Sequence, residues 1–510
     1  MKARRSMILM FVFLCTARVL FAQAPGSDFD EYVNKALKDW GAPGVAIAIV
    51  KDDRIVFAKG YGVRELGKQE PVDQNTLFAI GSSSKAFTAA SIAILVDQAK
   101  LKWDDPATKY LPGFQLFDPY STRELTVADL LSHRSGLARG DLLWYASEYD
   151  RNEVLRRVRF LKPAWSLRAR FGYQNIMFLA AGQIIPSVTG KTWDDFLREQ
   201  IFTPLNMKST STSIKAFAGN NNVATPHSKI EDKVRAIAWR NIDNIAPAGS
   251  INSNVEDMAQ WLRLHLGEGM YEKQRLLSAA TIKEMQTPQT IIRLEGQRGS
   301  LYPDSHFLTY GLGWFLSDYR GKKIVEHGGA IDGMRAEVAM IPEEKLGLVV
   351  LTNLNGTILP VALMYKIFDF YLKAPERDWS SEMLKVEKRA EEQAKAAEKK
   401  ADAERVKGTS PSLALAKYAG TFESDMYGVT KIALENDKLV VHFGPNFTGD
   451  LEHWHYDTFR VTWRDAMQGK GFVNFKLNTQ GKADVVSIEN LSDFTRVPEP
   501  DPKSVTSVKN

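Results

Sequence analysis

The chain has 510 residues, 44% hydrophobic and 25% charged, which is the make-up of a globular protein too long for one ordinary core. Its formal charge of +5 is largely a property of the first 24 residues, which hold Lys2, Arg4, Arg5 and Arg18 and no acid; without them the balance is about +1. Bulk basicity therefore gives no reason to expect a nucleic-acid partner, and a single cysteine, Cys15, excludes a disulfide framework.

Lys2, Arg4 and Arg5 precede an apolar run over residues 7–17, and Ala22-Gln23-Ala24 offers a small-x-small cleavage site. This predicts a secretory signal peptide over residues 1–24, with an apolar run too short to span a bilayer, and a periplasmic or secreted protein. A first domain is expected over residues 25–378. It opens with an amphipathic helix at 30–41 and two β-rich runs, 44–50 and 54–61, joined by Lys51-Asp52-Asp53 as a hairpin.

Residues 77–96 begin as a short apolar run, pass Gly81, and continue from Ala86 with apolar residues on every side. A helix with no polar face is a buried helix. Its first turn nevertheless carries Ser82 and Lys85, three apart and therefore on one face. A lysine desolvated there would have a lowered pKa and could take the serine's proton, while the helix start gathers N–H groups suited to an oxyanion.

Further along, Thr126-Val127-Ala128-Asp129 reads as a capping-box helix start. The segment closes at residues 132–136, where His133 is expected to satisfy its own helix end. Tyr173-Gln174-Asn175 precedes an apolar helix at 176–185. Residues 192–195 and 253–256 mark two more helix starts. Strand character returns at 310–316, 323–327, 334–341 and 346–352, followed by a helix at 358–372. The pattern predicts an α+β fold in which the two ends of this domain complete one antiparallel sheet, with a helical subdomain between.

Residues 379–411 form a charged helical linker, solvated from about 382 to 407. Seven short β-rich runs between 418 and 489, separated by turns, predict a small β-barrel over residues 412–498, and 499–510 is a polar tail. His453 and His455 are a pair without an evident third ligand, so no metal or other cofactor is expected.

Three stretches can complete a serine nucleophile's site. Tyr173 can relay a proton if a nearby lysine lowers its pKa, and Asn175 can donate to a substrate carbonyl. His327-Gly328-Gly329 ends a β-rich run, its glycines admitting a ligand close to the backbone, and the Ala330 N–H can pair with that of Ser82 around an oxyanion. Trp144, Tyr145, Trp165 and Trp239 are candidates for the pocket wall.

The order Ser-x-x-Lys, Tyr-x-Asn, His-x-Gly resembles the penicillin-recognising serine hydrolases. So do Leu130 to Leu137, Pro204-Leu205-Asn206-Met207, Pro247-Ala248-Gly249-Ser250, Tyr310 to Trp314, and His327 to Met334. The resemblance covers about residues 30–375 and is strongest to the branch of class C β-lactamases, D-aminopeptidases and carboxylesterases; residues 412–495 resemble a lipocalin-like domain. It implies an acyl-enzyme on Ser82, proton traffic shared by Lys85 and Tyr173, an oxyanion held by Ser82 and Ala330, and substrate contacts from Asn175, His327, Gly328 and Gly329. The implied reaction is hydrolysis of amide or ester bonds in small peptides, cell-wall fragments or esters. β-Lactam hydrolysis proper is the alternative, weakened because β-lactamases usually carry lysine where this chain has His327. A non-catalytic cell-wall-peptide binder is the second alternative. The expected partner is a small-molecule or peptide substrate, with no nucleic acid, no membrane span after signal removal, and oligomer contacts through the barrel.

Overall fold

The computed structural model describes residues 24–498. The signal-peptide and polar-tail readings fall on residues 1–23 and 499–510, outside the described residues.

An eight-stranded antiparallel sheet is built from β1 (Gly44–Lys51), β2 (Arg54–Gly62), β3 (Thr290–Ile292), β4 (Leu308–Tyr310), β5 (Phe315–Tyr319), β6 (Lys322–Ile331), β7 (Met334–Ile341) and β8 (Leu346–Thr352). Its order is β2-β1-β8-β7-β6-β5-β4-β3, so the N-terminal hairpin pairs with β8 and closes the sheet from the far end of the domain. The α+β architecture is the one the strand pattern predicts.

β1 shows why this sheet is central. Ala46, Ala48 and Val50 face one hydrophobic core, while Val45, Ile47 and Ile49 face a second. Alternation with both faces apolar is the signature of a strand covered on both sides. The first core is roofed by α2 (Ser84–Asp97), α3 (Asn175–Thr189) and α4 (Val255–Leu266). The second is covered by α1 (Ser27–Trp40), α5 (Leu359–Tyr371) and the start of α6 (Trp379–Ala403).

Two local expectations change. Residues 310–316 are not one strand: the Gly311 N–H donates to the Trp314 carbonyl at 2.8 Å and Gly313 takes φ +78°, so the chain turns between β4 and β5. The helix start read at residues 253–256 holds: Asn254 is the cap, and its side chain accepts from the Asp257 N–H. α6 is charged and exposed over most of its length, yet Trp379 and Met383 are buried, with Trp379 stacked on Tyr365 at 4.7 Å. Its first turns therefore belong to the core of the first domain.

The C-terminal unit is a closed antiparallel barrel of eight strands from Gly420–Ser424 to Ser492–Arg496. The eighth strand, Ser492–Arg496, lies beyond the seven predicted runs and closes the barrel by pairing with the first. His453 and His455 are occupied locally, by the Tyr456 carbonyl and the Val406 N–H. Barrel loops reach the first domain: Asn446 Nδ2 donates to the Ala146 carbonyl at 2.8 Å and Gln468 Nε2 to the Tyr145 hydroxyl at 3.2 Å.

Candidate active site

A 3-10 turn, Gly81–Ser83, leads into α2 and places Ser82 at the mouth of a cavity of about 850 Å³. Lys85, one turn on and fully buried, donates from Nζ to Ser82 Oγ at 2.9 Å and to the Ala248 carbonyl at 2.7 Å. Among the described residues no carboxylate forms an ion pair with it. Burial, reinforced by the charge of Arg139, holds its pKa well below the usual lysine range. Its Nζ lies 4.8 Å from the centre of the Tyr173 ring.

Tyr173 lies two residues before the α3 start, with its phenol close enough to Ser82 to be influenced by it. Burial pushes its phenol above the ordinary tyrosine value; Ser82 and Arg139 only partly oppose this. The expectation that a neighbouring lysine lowers this pKa is therefore reversed: at rest Tyr173 is a protonated phenol and Lys85 is the group poised as a base. His133 packs beneath the Tyr173 ring at 4.1 Å and accepts the Gln174 N–H at Nδ1, so it supports the tyrosine as well as its own turn.

Strand β6 forms the opposite wall. Gly81 (φ +50°) and Gly329 let loop and strand close together: a Cβ on Gly81 would lie 2.6 Å from the Ala330 nitrogen, and one on Gly329 only 1.8 Å from the Ile80 carbonyl oxygen and 3.2 Å from the Ser82 nitrogen. The backbones of Ser82 and Ala330 meet there, a geometry suited to two N–H donors on one carbonyl oxygen.

Asn175 lines the cavity and donates one amide hydrogen to Asp141 at 2.8 Å, leaving the second for a ligand. Asp141 also accepts from Trp144 Nε1 at 2.9 Å and from Arg139 at 2.5 Å. This loop carboxylate organises three cavity-lining side chains, and nothing in its sequence context announced that. Of the four aromatic candidates, Trp144 alone lines the cavity with Ser82.

His327 is buried, with Nε2 at 2.9 Å from the Tyr310 hydroxyl and Nδ1 at 2.7 Å from the Gly328 carbonyl. Burial and the nearby Lys85 lower its pKa to about 3, so it is neutral with both nitrogens engaged. It shapes the wall and supplies no cationic anchor.

A family model described as Beta-lactamase matches residues 29–366, and a second, a domain of unknown function (DUF3471), matches residues 404–503. Unguisins hydrolase ungD of Aspergillus violaceofuscus is 32% identical over 453 residues, covering 80% of this chain and 76% of its own length. Protein flp of Staphylococcus aureus is 25% identical over 340 residues, 65% of this chain and 63% of its own. Among solved structures, the octameric penicillin-binding protein homologue from Pyrococcus abyssi superposes with a TM-score of 0.62 at 20% identity, over 92% of this chain and 99% of that one. A D-stereospecific amidohydrolase from Streptomyces sp. gives 0.54 at 22% identity, over 66% of this chain and 97% of that one. At these identities the two structures speak to the fold.

Proposed function

This chain belongs to the β-lactamase family of serine hydrolases, and on that premise we propose that it hydrolyses amide or ester bonds of small peptides, cell-wall fragments or esters through an acyl-enzyme on Ser82. The observation that carries the reading is the 2.9 Å contact between Ser82 Oγ and the fully buried Lys85, whose pKa is held well below the ordinary lysine value. A binding protein has no use for a desolvated base beside a hydroxyl, and burying that amine without an ion-pair partner is costly.

In acylation, Ser82 Oγ bonds to the substrate carbonyl carbon and its proton passes to the neutral Lys85 amine. The Ser82 and Ala330 N–H groups receive the oxyanion. As the C–N or C–O bond breaks, the Tyr173 phenol is placed to hand a proton to the leaving amine or alcohol and to regain one from Lys85. Water then attacks the acyl carbon and gives its proton to the same pair. Ser82 Oγ departs with a proton, and the acid product leaves.

β-Lactam turnover is the second reading within the family. The buried, neutral His327 weighs against it, because recognition of a β-lactam carboxylate gains from a cation at that wall. Export is part of the proposal, resting on the basic and apolar pattern of residues 1–24. The test is a panel of p-nitrophenyl esters, D- and L-amino-acid p-nitroanilides and nitrocefin, run with the parent chain and Ser82→Ala. Ester or anilide turnover lost in Ser82→Ala supports the reading; turnover that survives the substitution refutes it, and nitrocefin as the best substrate favours the β-lactamase alternative.

A further inference from the structure

The cavity does not end at Ser82. β5 pairs with β6 only as far as Phe315 opposite Glu326, so the following residues of β6 form an open edge, and the cavity passes around it to the other face of the sheet. Side chains alternate across a strand. His327 and Gly329 face α2, whereas Glu326 and Gly328 face α5 together with Glu337 of β7, which is opposite Gly328 in the register.

Glu326 and Glu337 are only 5% and 4% exposed, yet both line the cavity that holds Ser82. They hydrogen-bond each other, and Glu326 Oε1 also accepts the Tyr302 hydroxyl at 2.5 Å. Glu337 Oε1 is buried and has no hydrogen-bond donor among the described residues. Burial pushes both carboxyls up, and the neighbouring Glu326 raises Glu337 further. Gly328 makes the space: a Cβ there would lie 2.9 Å from Glu337 Oε2. Arg335 lines the same cavity and its charge acts on Glu337, but its Nε donates to the Thr357 carbonyl at 3.1 Å, and among the described residues no ion pair joins it to either glutamate. What remains unfilled is a buried carboxyl oxygen beside a second carboxyl, and the group that complements such a pair best is a cationic hydrogen-bond donor.

We propose that Glu326 and Glu337 form an acidic subsite, continuous with the Ser82 cavity around the open edge of β6, that takes a primary ammonium or guanidinium group of the substrate. The inference rests on the hydrolase reading above and narrows its substrates to peptides or esters carrying a basic group at some distance from the scissile carbonyl. Nothing in the family resemblance required it, since neither glutamate belongs to the three motifs.

The test compares matched p-nitrophenyl esters, 6-aminohexanoate against hexanoate and Nα-acetyl-lysine against Nα-acetyl-norleucine, and reads the ratio of kcat/KM within each pair. The parent chain is expected to favour the ammonium-bearing member of at least one pair by about tenfold or more, and Glu337→Gln to bring that ratio close to one. Glu326→Gln serves as a second variant should Glu337→Gln fail to fold, and the parent ratio is itself decisive. Turnover of both members without preference, or a preference that survives both substitutions, overturns the subsite and leaves the hydrolase reading intact. No turnover of any member and no acylation of Ser82 overturns that reading and the subsite with it.

Discussion

The Tyr310 hydroxyl lies 2.9 Å from Nε2 of His327, on the far side of the imidazole from the Nδ1 contact with the Gly328 carbonyl. A carbonyl can only accept, so Nδ1 carries the proton and Nε2 accepts from the phenol. The tautomer is thereby fixed and the ring is neutral. His327→Lys would bury an ammonium near Lys85 and leave Tyr310 without its acceptor. The substitution is expected to lower kcat/KM by about tenfold or more and to lower the melting temperature, rather than to create an efficient β-lactamase. Turnover of esters and nitrocefin, with thermal melts, decides it.

Lys85 must be neutral to accept the Ser82 proton. Its pKa is held well below the ordinary lysine value, so acylation should reach its plateau well below pH ~10 and fall as pH drops through the Lys85 pKa. Because the Tyr173 phenol is pushed up, its deprotonation should impose no alkaline limb in the same range. Lys85→Arg keeps a cation that cannot give up its proton and should cost about a thousandfold or more in acylation rate. A pH profile of kcat/KM still climbing at pH ~10 would contradict this assignment.

The barrel holds the loop that forms one cavity wall. Asn446 and Gln468 bond the Ala146 carbonyl and the Tyr145 hydroxyl, and that hydroxyl donates to Asp332 at the tip of the β6–β7 hairpin, two residues after Ala330. Asp141, on the same loop, holds Asn175. Asn446→Ala combined with Gln468→Ala removes two hydrogen bonds worth about 1 kcal/mol each. It should reduce kcat/KM by about three- to tenfold, through KM more than kcat, with little change in melting temperature. An unchanged KM would detach the barrel from the site.

His265 is buried between Trp261 and Trp314 with both ring nitrogens unpartnered, and burial lowers its pKa to about 3. The unfolded chain binds a proton at pH ~6.5 that the folded chain refuses until pH ~3. The folded pKa is depressed, so the stability it permits is complete above pH ~6.5 and declines as pH falls toward ~3. At pH 5 the loss from this residue alone is about 2 kcal/mol. His327 acts in the same direction. Melting temperature should fall steeply between pH 6.5 and 4, and His265→Leu should flatten that fall.

Those features that lie within one turn or one strand were readable in the sequence. Ser82 and Lys85 are three residues apart on a helix with no polar face, and that contradiction announced them. The Gly-Gly after His327 likewise signalled a close approach, and the β-rich runs at residues 334–341 and 346–352 became β7 and β8. Features made by register or by loop placement were not readable. Glu337 meets Glu326 only because β6 and β7 pair so that Gly328 stands opposite Glu337. Asp141 reaches Asn175 across 34 positions through a loop without periodicity. Tyr310 was read as one residue in a longer strand, and the turn at Gly311 to Trp314 is what aims its hydroxyl at His327.

The most direct test is the intact mass and peptide map of the protein after reaction with a fluorophosphonate probe. One adduct per chain, located on Ser82 and abolished both by Ser82→Ala and by Lys85→Ala, is the expected result. A parent chain that stays unmodified, or an adduct on another serine that persists in Ser82→Ala, would contradict the account.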